Sequence, residues 1–558
     1  MDTMANLYKQ DVDKWLEELL KDTPKPDVPT LEVLETVKEA ALNAKIANVE
    51  EYNMSVSSRM RRRVPENLSE LDVAAILLHL FTFRKIKMSN ASDGELLTVY
   101  VPGSTDIWKL VTTRNGTAEG IYTSSTTLLE YLPTRLTIHK TREIEEVLSM
   151  VARYAPIVET TNDSHLFPVN NGVFNQKTGI LESFTPDYVF MSKIGIDYEK
   201  GLTNPVIQNP DGTQWDVESG LRELAVSDDV NALFWQVIAA SLQPNRGMNK
   251  SIWFYSESGN NGKGTIGQLI KNLLGIGNYA SLSVVDFKHE FHKQALIGVA
   301  ANIADENDVD EYIDSVKDYK ASITGDDILI NRKHKDPIRL QFRGLNIQMM
   351  NGLPKTKDKT GSFYRRIIIV PFTKSFTNNG ERTYIKDDYI GRRDVLEYVL
   401  SKALSLQFDE FIVPMESAMV LDQYKEKNNP VLNFWNEIKE ELKWDLVPSK
   451  FLYDLYRKWF ERTNPSGKVI GQGVFYEHLS PIIDSDGEWE NRIGSDKSNV
   501  RTGTKMDADE PLITEYGLDK DEKNGSPSPW VNQSYTGNNN SMKRDFARKN
   551  AYKGILRN

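Results

Sequence analysis

The run Ser258-Gly259-Asn260-Asn261-Gly262-Lys263-Gly264-Thr265 follows a short apolar stretch, SIWFYS (251–256), and leads into TIGQLIKNLLG, whose apolar residues recur at helical spacing. Strand, glycine-rich loop, lysine, helix is the order a phosphate cradle requires. Small residues let successive backbone N–H groups turn inward, a lysine reaches the outer phosphate oxygens, and a helix N-terminus favours the anion. Gly259, Asn260, Asn261, Gly262, Lys263, Gly264 and Thr265 are therefore the candidate nucleotide-binding residues. The general pattern asks for Gly where Glu257 stands and for Ser or Thr where Gly264 stands, with Thr265 one place late. One residue on a helix is about 100° of rotation, which leaves the role of Thr265 as a magnesium ligand open.

Further along, the apolar run LIGVAANIA ends in Asp305-Glu306. Carboxylates at the C-terminal end of a parallel strand face the crevice where nucleotides bind, and both metal binding and water activation need them there. Glu306 is expected to polarise the attacking water and Asp305 to stand on the Mg²⁺ side. The run LNIQMM ends in Asn351, an amide suited to hold that water near the γ-phosphate. Arg365-Arg366 then opens IIIVPF. A guanidinium there stabilises transition-state charge on this subunit's own nucleotide or on a neighbour's, and the sequence does not choose between the two arginines. The segment DILINRKHKDPIRLQF (327–342) reads as a hairpin whose polar turn ends at Asp336-Pro337. Its basic tip, Lys333, His334 and Lys335, suits a phosphate backbone.

The elements that must position these residues are also patterned. Between about 251 and 376 strand-like and helix-like runs alternate, as a parallel sheet with covering helices would, and the chain is then helical to about 420. VLNFWNEIKEEL, SKFLYDLYRKWFE and GQGVFYEHLSPII predict three helices around one aromatic core. Upstream, two amphipathic helices flank the break TPKPDVPT (23–30), and Ser69 with Asp72 forms a capping box for LDVAAILLHLF. LLTVYVPG, IWKLVTT and GIYTS are read as short strands, EIEEVLSMVARYA as a helix, and 167–198 as a compact β unit. The expected divisions are a helical region at 1–94, an α+β collar domain at 95–242, the ATPase domain at 243–420 and a helical or winged-helix domain at 421–483. A polar, partly disordered tail with a basic end is expected over 484–558.

Composition narrows the function classes. With 558 residues the chain has room for three or four domains, and with no cysteine it has no thiolate zinc site, iron–sulfur cluster, thiol nucleophile or disulfide. The net charge of −11 means that nucleic acid must be held by local basic surfaces rather than by bulk attraction. No stretch approaches a membrane span and the N-terminus lacks a secretory pattern, so a cytoplasmic protein without a membrane partner is expected.

In order along the chain, NNGVFNQKTGILESFTPDY, SGNNGKGT, NIADEND, GDDILINRKHKDP, MMNGLP and FYRRIIIVPF resemble the motifs of the superfamily 3 helicases, in the phage, plasmid and poxvirus branch. The resemblance covers roughly 165–480. It assigns these segments to a collar, Walker A, Walker B, the motif particular to the superfamily, sensor 1 and the arginine-finger strand. It implies an α/β fold with an AAA+-like parallel-sheet ATPase core, an N-terminal α+β collar region and a helical or winged-helix C-terminal domain. It further implies a homo-hexamer that hydrolyses ATP with Mg²⁺ between subunits and moves 3′→5′ along single-stranded or forked DNA. The implied role is replication of a phage or mobile element. Implied partners are origin DNA and a separate primase or host replication proteins, because residues 1–165 carry no primase signature. An ATPase-deficient DNA-binding initiator and a protein-remodelling AAA+ ATPase are the alternative readings.

Overall fold

Pro24, Pro26 and Pro29 lack the amide hydrogen a helix needs, so α1 (Lys14–Asp22) stops and α2 (Leu31–Ser55) starts afresh with Thr30 capping the amide of Val33 at 3.3 Å. The Ser69/Asp72 capping box opens α3 (Glu70–Leu80), as expected. The structure, a computed structural model, describes residues 12–90, 94–104, 106–111, 118–243, 247–305, 312–313, 316–333, 335–356, 361–376, 382–465, 468–519, 528–531 and 549–558. It divides into two units, residues 1–420 and 421–558.

In the first unit, β1 (Phe83–Lys87), β2 (Glu95–Tyr100), β3 (Tyr122–Thr123) and β4 (Ile157–Glu159) form a sheet in the order β3-β2-β1-β4. Phe83 pairs with Val99 and Lys87 with Glu95, so strand pairing crosses the expected division at 94/95. One apolar core runs from Leu16 to Phe190, and a separate helical region ending at 94 does not describe this unit. IWKLVTT is not a strand: Asp106–Val111 is a 3₁₀ helix that buries Ile107 and Trp108, with the Trp108 indole donating to the Pro29 carbonyl at 3.0 Å. Residues 166–182 form a three-stranded antiparallel sheet, the compact β unit expected there.

Next come α4 (Val217–Leu224) and α5 (Asp228–Ser241), then a five-stranded parallel sheet. Its strands are β5 (Ser251–Tyr255), β6 (Tyr279–Ala280), β7 (Ala301–Ala304), β8 (Leu345–Met350) and β9 (Ile367–Pro371), in the order β6-β7-β8-β5-β9. Nearly every residue of these strands is buried, which is why they read as continuous apolar runs rather than alternating ones. Helix α6 (Lys263–Leu274) follows β5 and lays Ile266, Leu269, Ile270 and Leu273 into the same core. Gly267 leaves space that the Met349 side chain of β8 fills, since a Cβ there would lie 1.9 Å from Met349 Cε. The chain is a mixed α/β protein with a parallel sheet at the centre of its first unit.

The second unit contains α7 (Pro430–Ile438), α8 (Ser449–Thr463) and α9 (Gln472–Asp486) around Phe434, Tyr456, Trp459 and Phe475. Its sheet is built from β10 (Leu446–Pro448), β11 (Trp489–Asn491) and β12 (Gly554–Arg557), with β12 in the middle. Of the tail expected to be partly disordered, residues 520–527 and 532–548 lie outside the described residues, while the last strand is the centre of a sheet and Ile555 is fully buried. Polarity misleads because the apolar residues that anchor the described parts of this stretch, Trp489, Met506, Leu512, Trp530 and Ile555 among them, are scattered singly between polar ones. Two described basic residues of this end, Lys553 and Arg557, are engaged within the unit. Lys553 donates to the Gly494 carbonyl at 2.6 Å, and Arg557 lies 4.4 Å above the Trp489 ring. Lys543, Arg544 and Arg548 lie outside the described residues. Among the described residues no helix is long and apolar enough to cross a membrane.

Candidate functional site

The loop after β5 is shaped by two left-handed residues, Asn260 at φ 50° and Gly262 at φ 88°. Gly262 also has no room for a side chain, since a Cβ would meet Leu224 Cδ2 at 2.4 Å. The Asn261 amide donates to the Ser258 carbonyl, and its oxygen accepts the Lys263 N–H at 3.3 Å, so the loop is closed on itself before α6 begins. This delivers Lys263 as the first residue of the helix, where the helix dipole favours an anion. Gly259 through Thr265 all line one cleft of about 600 Å³ at the C-terminal edge of the sheet.

Across that cleft Lys263 Nζ donates to Asn351 Oδ1 at 2.9 Å. The two residues are far apart in sequence and meet because β5 and β8 are neighbours in parallel register, with Tyr255 opposite Met350. Burial pushes the Lys263 ammonium below the usual lysine range, a cost that a bound anion would offset. Asp305 follows β7 at the same edge. It forms an ion pair with Lys271, two turns along α6 from Lys263. The Lys271 side chain is 7 % exposed and that of Asp305 57 %, so the ammonium is buried while the carboxylate stays wet. No further His or carboxylate joins Asp305 into an ion-holding group among the described residues. The hard oxygen of Asp305 fits Mg²⁺ shared with phosphate oxygens, the usual way that ion binds. Glu306 lies outside the described residues.

Arg365 and Arg366 are not brought to this cleft. They precede β9, whose Ile367 pairs with Ser251 at the start of β5. At about 3.3 Å per residue the length of β5 puts them on the order of 15 Å from the loop. Arg366 is half-buried and donates to the Ser362 carbonyl, leaving its Nε without a partner, whereas Arg365 is exposed.

The hairpin of 327–342 is present, but its turn is tighter than expected. Asp327–Arg332 pairs antiparallel with Lys335–Gln341, and Arg332 sits opposite Lys335, so the turn is two residues rather than one ending at Asp336-Pro337. The second strand passes through Pro337 because the register shifts between Ile330 and Arg332, and an irregular edge tolerates a residue without N–H. Arg332 closes the tip by donating to the Asp336 carbonyl at 2.9 and 2.7 Å. Lys333 and Lys335 are exposed, and His334 lies outside the described residues. Asn331 donates to Glu290 at 3.0 Å, tying the hairpin to a loop that exposes Phe291.

Several residues of the cleft have no local sequence signal. Trp215, Glu223 and Leu224 come from before the sheet, and Arg382 and Lys386 from after it. They are assembled by contacts remote in sequence: Arg382 pairs with Glu223, and the Trp215 and Tyr389 rings lie 5.3 Å apart. A lone Trp or Lys in a polar stretch says nothing about which strand edge it will reach.

Comparisons with known proteins fall on three segments. Residues 99–219 match the family described as D5 N terminal like, 254–366 a family of unknown function (DUF5906), and 426–508 the family described as Poxvirus D5 protein-like. No curated protein matches the chain. Similar solved structures include two of the NrS-1 C terminal region in its apo form. One is 12 % identical with a TM-score of 0.38 and covers 83 % of this chain and 98 % of that one. The other is 11 % identical with a TM-score of 0.39, over 78 % and 98 %. In sequence, the two D5-type segments precede and follow the segment that carries the parallel sheet.

Proposed function

We propose that the chain is the motor of a superfamily 3 DNA helicase with an AAA+-like core, hydrolysing ATP with Mg²⁺ at the Lys263 cleft and acting as a ring, a homo-hexamer, on single-stranded or forked DNA in the 3′→5′ sense. The observation that carries this reading is the meeting of Lys263 with Asn351 over a cleft at the C-terminal edge of a parallel sheet, beside Asp305. In this arrangement Lys263 and the amides at the start of α6 hold the phosphates. Asn351 accepts from the Lys263 ammonium and would turn to the attacking water when phosphate takes that ammonium over. Asp305 supplies oxygen on the Mg²⁺ side, with Thr265 as a second candidate ligand, and Glu306 polarises the attacking water. Mg²⁺, when bound, neutralises charge on the transferring phosphoryl group.

Arg365 is the better finger of the two arginines, because it is exposed while Arg366 is tied to its own short helix. Its distance from the cleft of its own chain favours action on a neighbour's nucleotide. Lys333 and Lys335 at the hairpin tip would grip phosphates, with His334 between them and Phe291 nearby to stack on a base. The second unit has the three helices and small antiparallel sheet that a winged-helix module needs. Its third helix, α9, carries Glu477, Asp484 and Asp486 and neither Lys nor Arg, which disfavours reading of origin DNA by that helix.

The test is nucleotide turnover with and without single-stranded DNA, together with unwinding of a forked duplex. DNA-stimulated turnover and unwinding are expected. Turnover without unwinding supports the protein-remodelling alternative, and DNA binding without turnover supports the ATPase-deficient initiator.

A further inference from the structure

Gly264 stands where the general phosphate-loop pattern carries a hydroxyl. The space beside it is taken by another group: a Cβ on Gly264 would lie 3.3 Å from Lys386 Nζ and 4.0 Å from Lys386 Cε. Lys386 belongs to the short helix Thr383–Asp387, beyond the parallel sheet, and lines the same cleft as the loop. It is exposed and makes no hydrogen bond or ion pair among the described residues.

Its neighbours are committed, and they hold its segment in place. Arg382 pairs with Glu223, Asp388 pairs with Arg392, Asn272 of α6 donates to the Ile390 carbonyl at 3.0 Å, and the Tyr389 ring packs on Trp215. An ammonium is thus suspended over the second residue of α6, one position past Lys263, on a segment anchored to that helix and to the far wall of the cleft. No carboxylate among the described residues pairs with it. The position calls for an anion between it and the helix start.

We propose that Lys386 is a second phosphate-binding cation of this cleft, reaching the outer phosphates through the gap that Gly264 leaves open. The inference rests on the cleft being a nucleotide site. In its terms the glycine is not a defect in the loop: a side chain at 264 would crowd the approach that Lys386 uses. Two cations from opposite sides would grip the same outer phosphates, and affinity would depend on the number of phosphates more than on the base.

The experiment titrates the full chain with fluorescent analogues of ATP, ADP and AMP, in Mg²⁺ and again in EDTA, for the wild type, Lys263→Ala, Lys386→Met and Lys386→Arg. Thermal melts check that each variant is folded. Lys386→Met should weaken ATP binding about tenfold, ADP binding less and AMP binding not at all, with the larger loss in EDTA, where no metal shares the phosphate charge. Lys386→Arg should restore most of the affinity. If Lys386→Met binds ATP like the wild type while Lys263→Ala does not, the assignment of Lys386 is wrong. An equal loss for ATP, ADP and AMP overturns it too, since that outcome marks a collapsed cleft wall. If the wild type binds none of the three, the nucleotide reading of the cleft falls and takes this inference with it.

Discussion

The two edges of the parallel sheet differ in completeness. At the C-terminal edge one chain assembles a lysine, an amide and a helix start around one cleft, with Lys263 and Asn351 already in contact and Asp305 following a strand at the same edge. At the N-terminal edge the same chain presents Lys250, Arg365 and Arg366, three cations that do not line that cleft, and the Lys250 ammonium donates to the Arg365 carbonyl. A parallel sheet keeps residues that come after its strands apart from residues that come before them. A residue before β9 can therefore serve the chemistry after β5 only in another copy of the chain.

The largest effect is expected from a change at the complete edge. Lys263→Ala should lower ATP turnover by at least about 100-fold, the scale for removing a group that stabilises transition-state charge, while the thermal midpoint stays near that of the wild type. Wild-type turnover in this variant, read by phosphate release, would remove the chemistry from this edge.

The second test addresses the incomplete edge. Arg365→Ala should also be inactive alone, and mixing it with Lys263→Ala subunits should restore part of the turnover, because some interfaces then pair an intact cleft with an intact arginine. The same mixture made with Arg366→Ala should recover less from a smaller initial loss. No recovery at any mixing ratio would mean that the arginine acts within its own chain, contrary to its place before β9. Light scattering with nucleotide or DNA present should show the ring that the complementation requires.

The complete edge is legible in the sequence and the rest of its wall is not, for a physical reason. Strand, loop and helix over 251–274 are set by neighbouring residues: an apolar run, two positions that accept positive φ, and a helical period. The hairpin is legible for the same reason, although Asp336-Pro337 looks like its break and the bulge instead carries Pro337 within the strand. Trp215, Arg382 and Lys386 reach the cleft only through tertiary packing. The division at 94/95 is crossed, and the last residues of the polar stretch after 484 are ordered, because strand partners are chosen by the whole sheet rather than by local composition. Lys87 pairs with Glu95 across that division, and β12 fills a sheet centre from the end of a polar stretch.

A third, smaller effect is expected at the hairpin, which belongs to neither edge. Replacing Lys333 and Lys335 by Ala should reduce the ratio of turnover with single-stranded DNA to turnover without it. It should also flatten the salt dependence of DNA binding, by roughly 0.7 log units per decade for each phosphate that the tip no longer holds. A double variant that keeps both the ratio and the salt slope would place the DNA grip elsewhere.

The smallest effect concerns how the complete edge keeps Asp305 in position. The Lys271 ammonium is buried below Asp305 and lies 5.4 Å from the Tyr279 ring centre, while the carboxylate it holds is mostly in water. In Lys271→Met the thioether keeps the packing of the stem, a buried charge disappears, and the carboxylate left behind remains solvated. The cost to stability should therefore stay within about 1 kcal/mol, a shift of a few degrees at most in the thermal midpoint. What the variant removes is the tether that fixes the direction of the Asp305 oxygens at the C-terminal edge of the sheet. Turnover should fall about tenfold, or about 1.4 kcal/mol of transition-state positioning, with a higher Mg²⁺ concentration needed for half-maximal rate and little change in nucleotide affinity measured in EDTA. Lys271→Arg, which can keep the pair, should recover most of that rate. A large drop in midpoint with unchanged turnover and Mg²⁺ dependence would assign Lys271 to the core of the sheet and leave Asp305 to be positioned by the end of β7 alone.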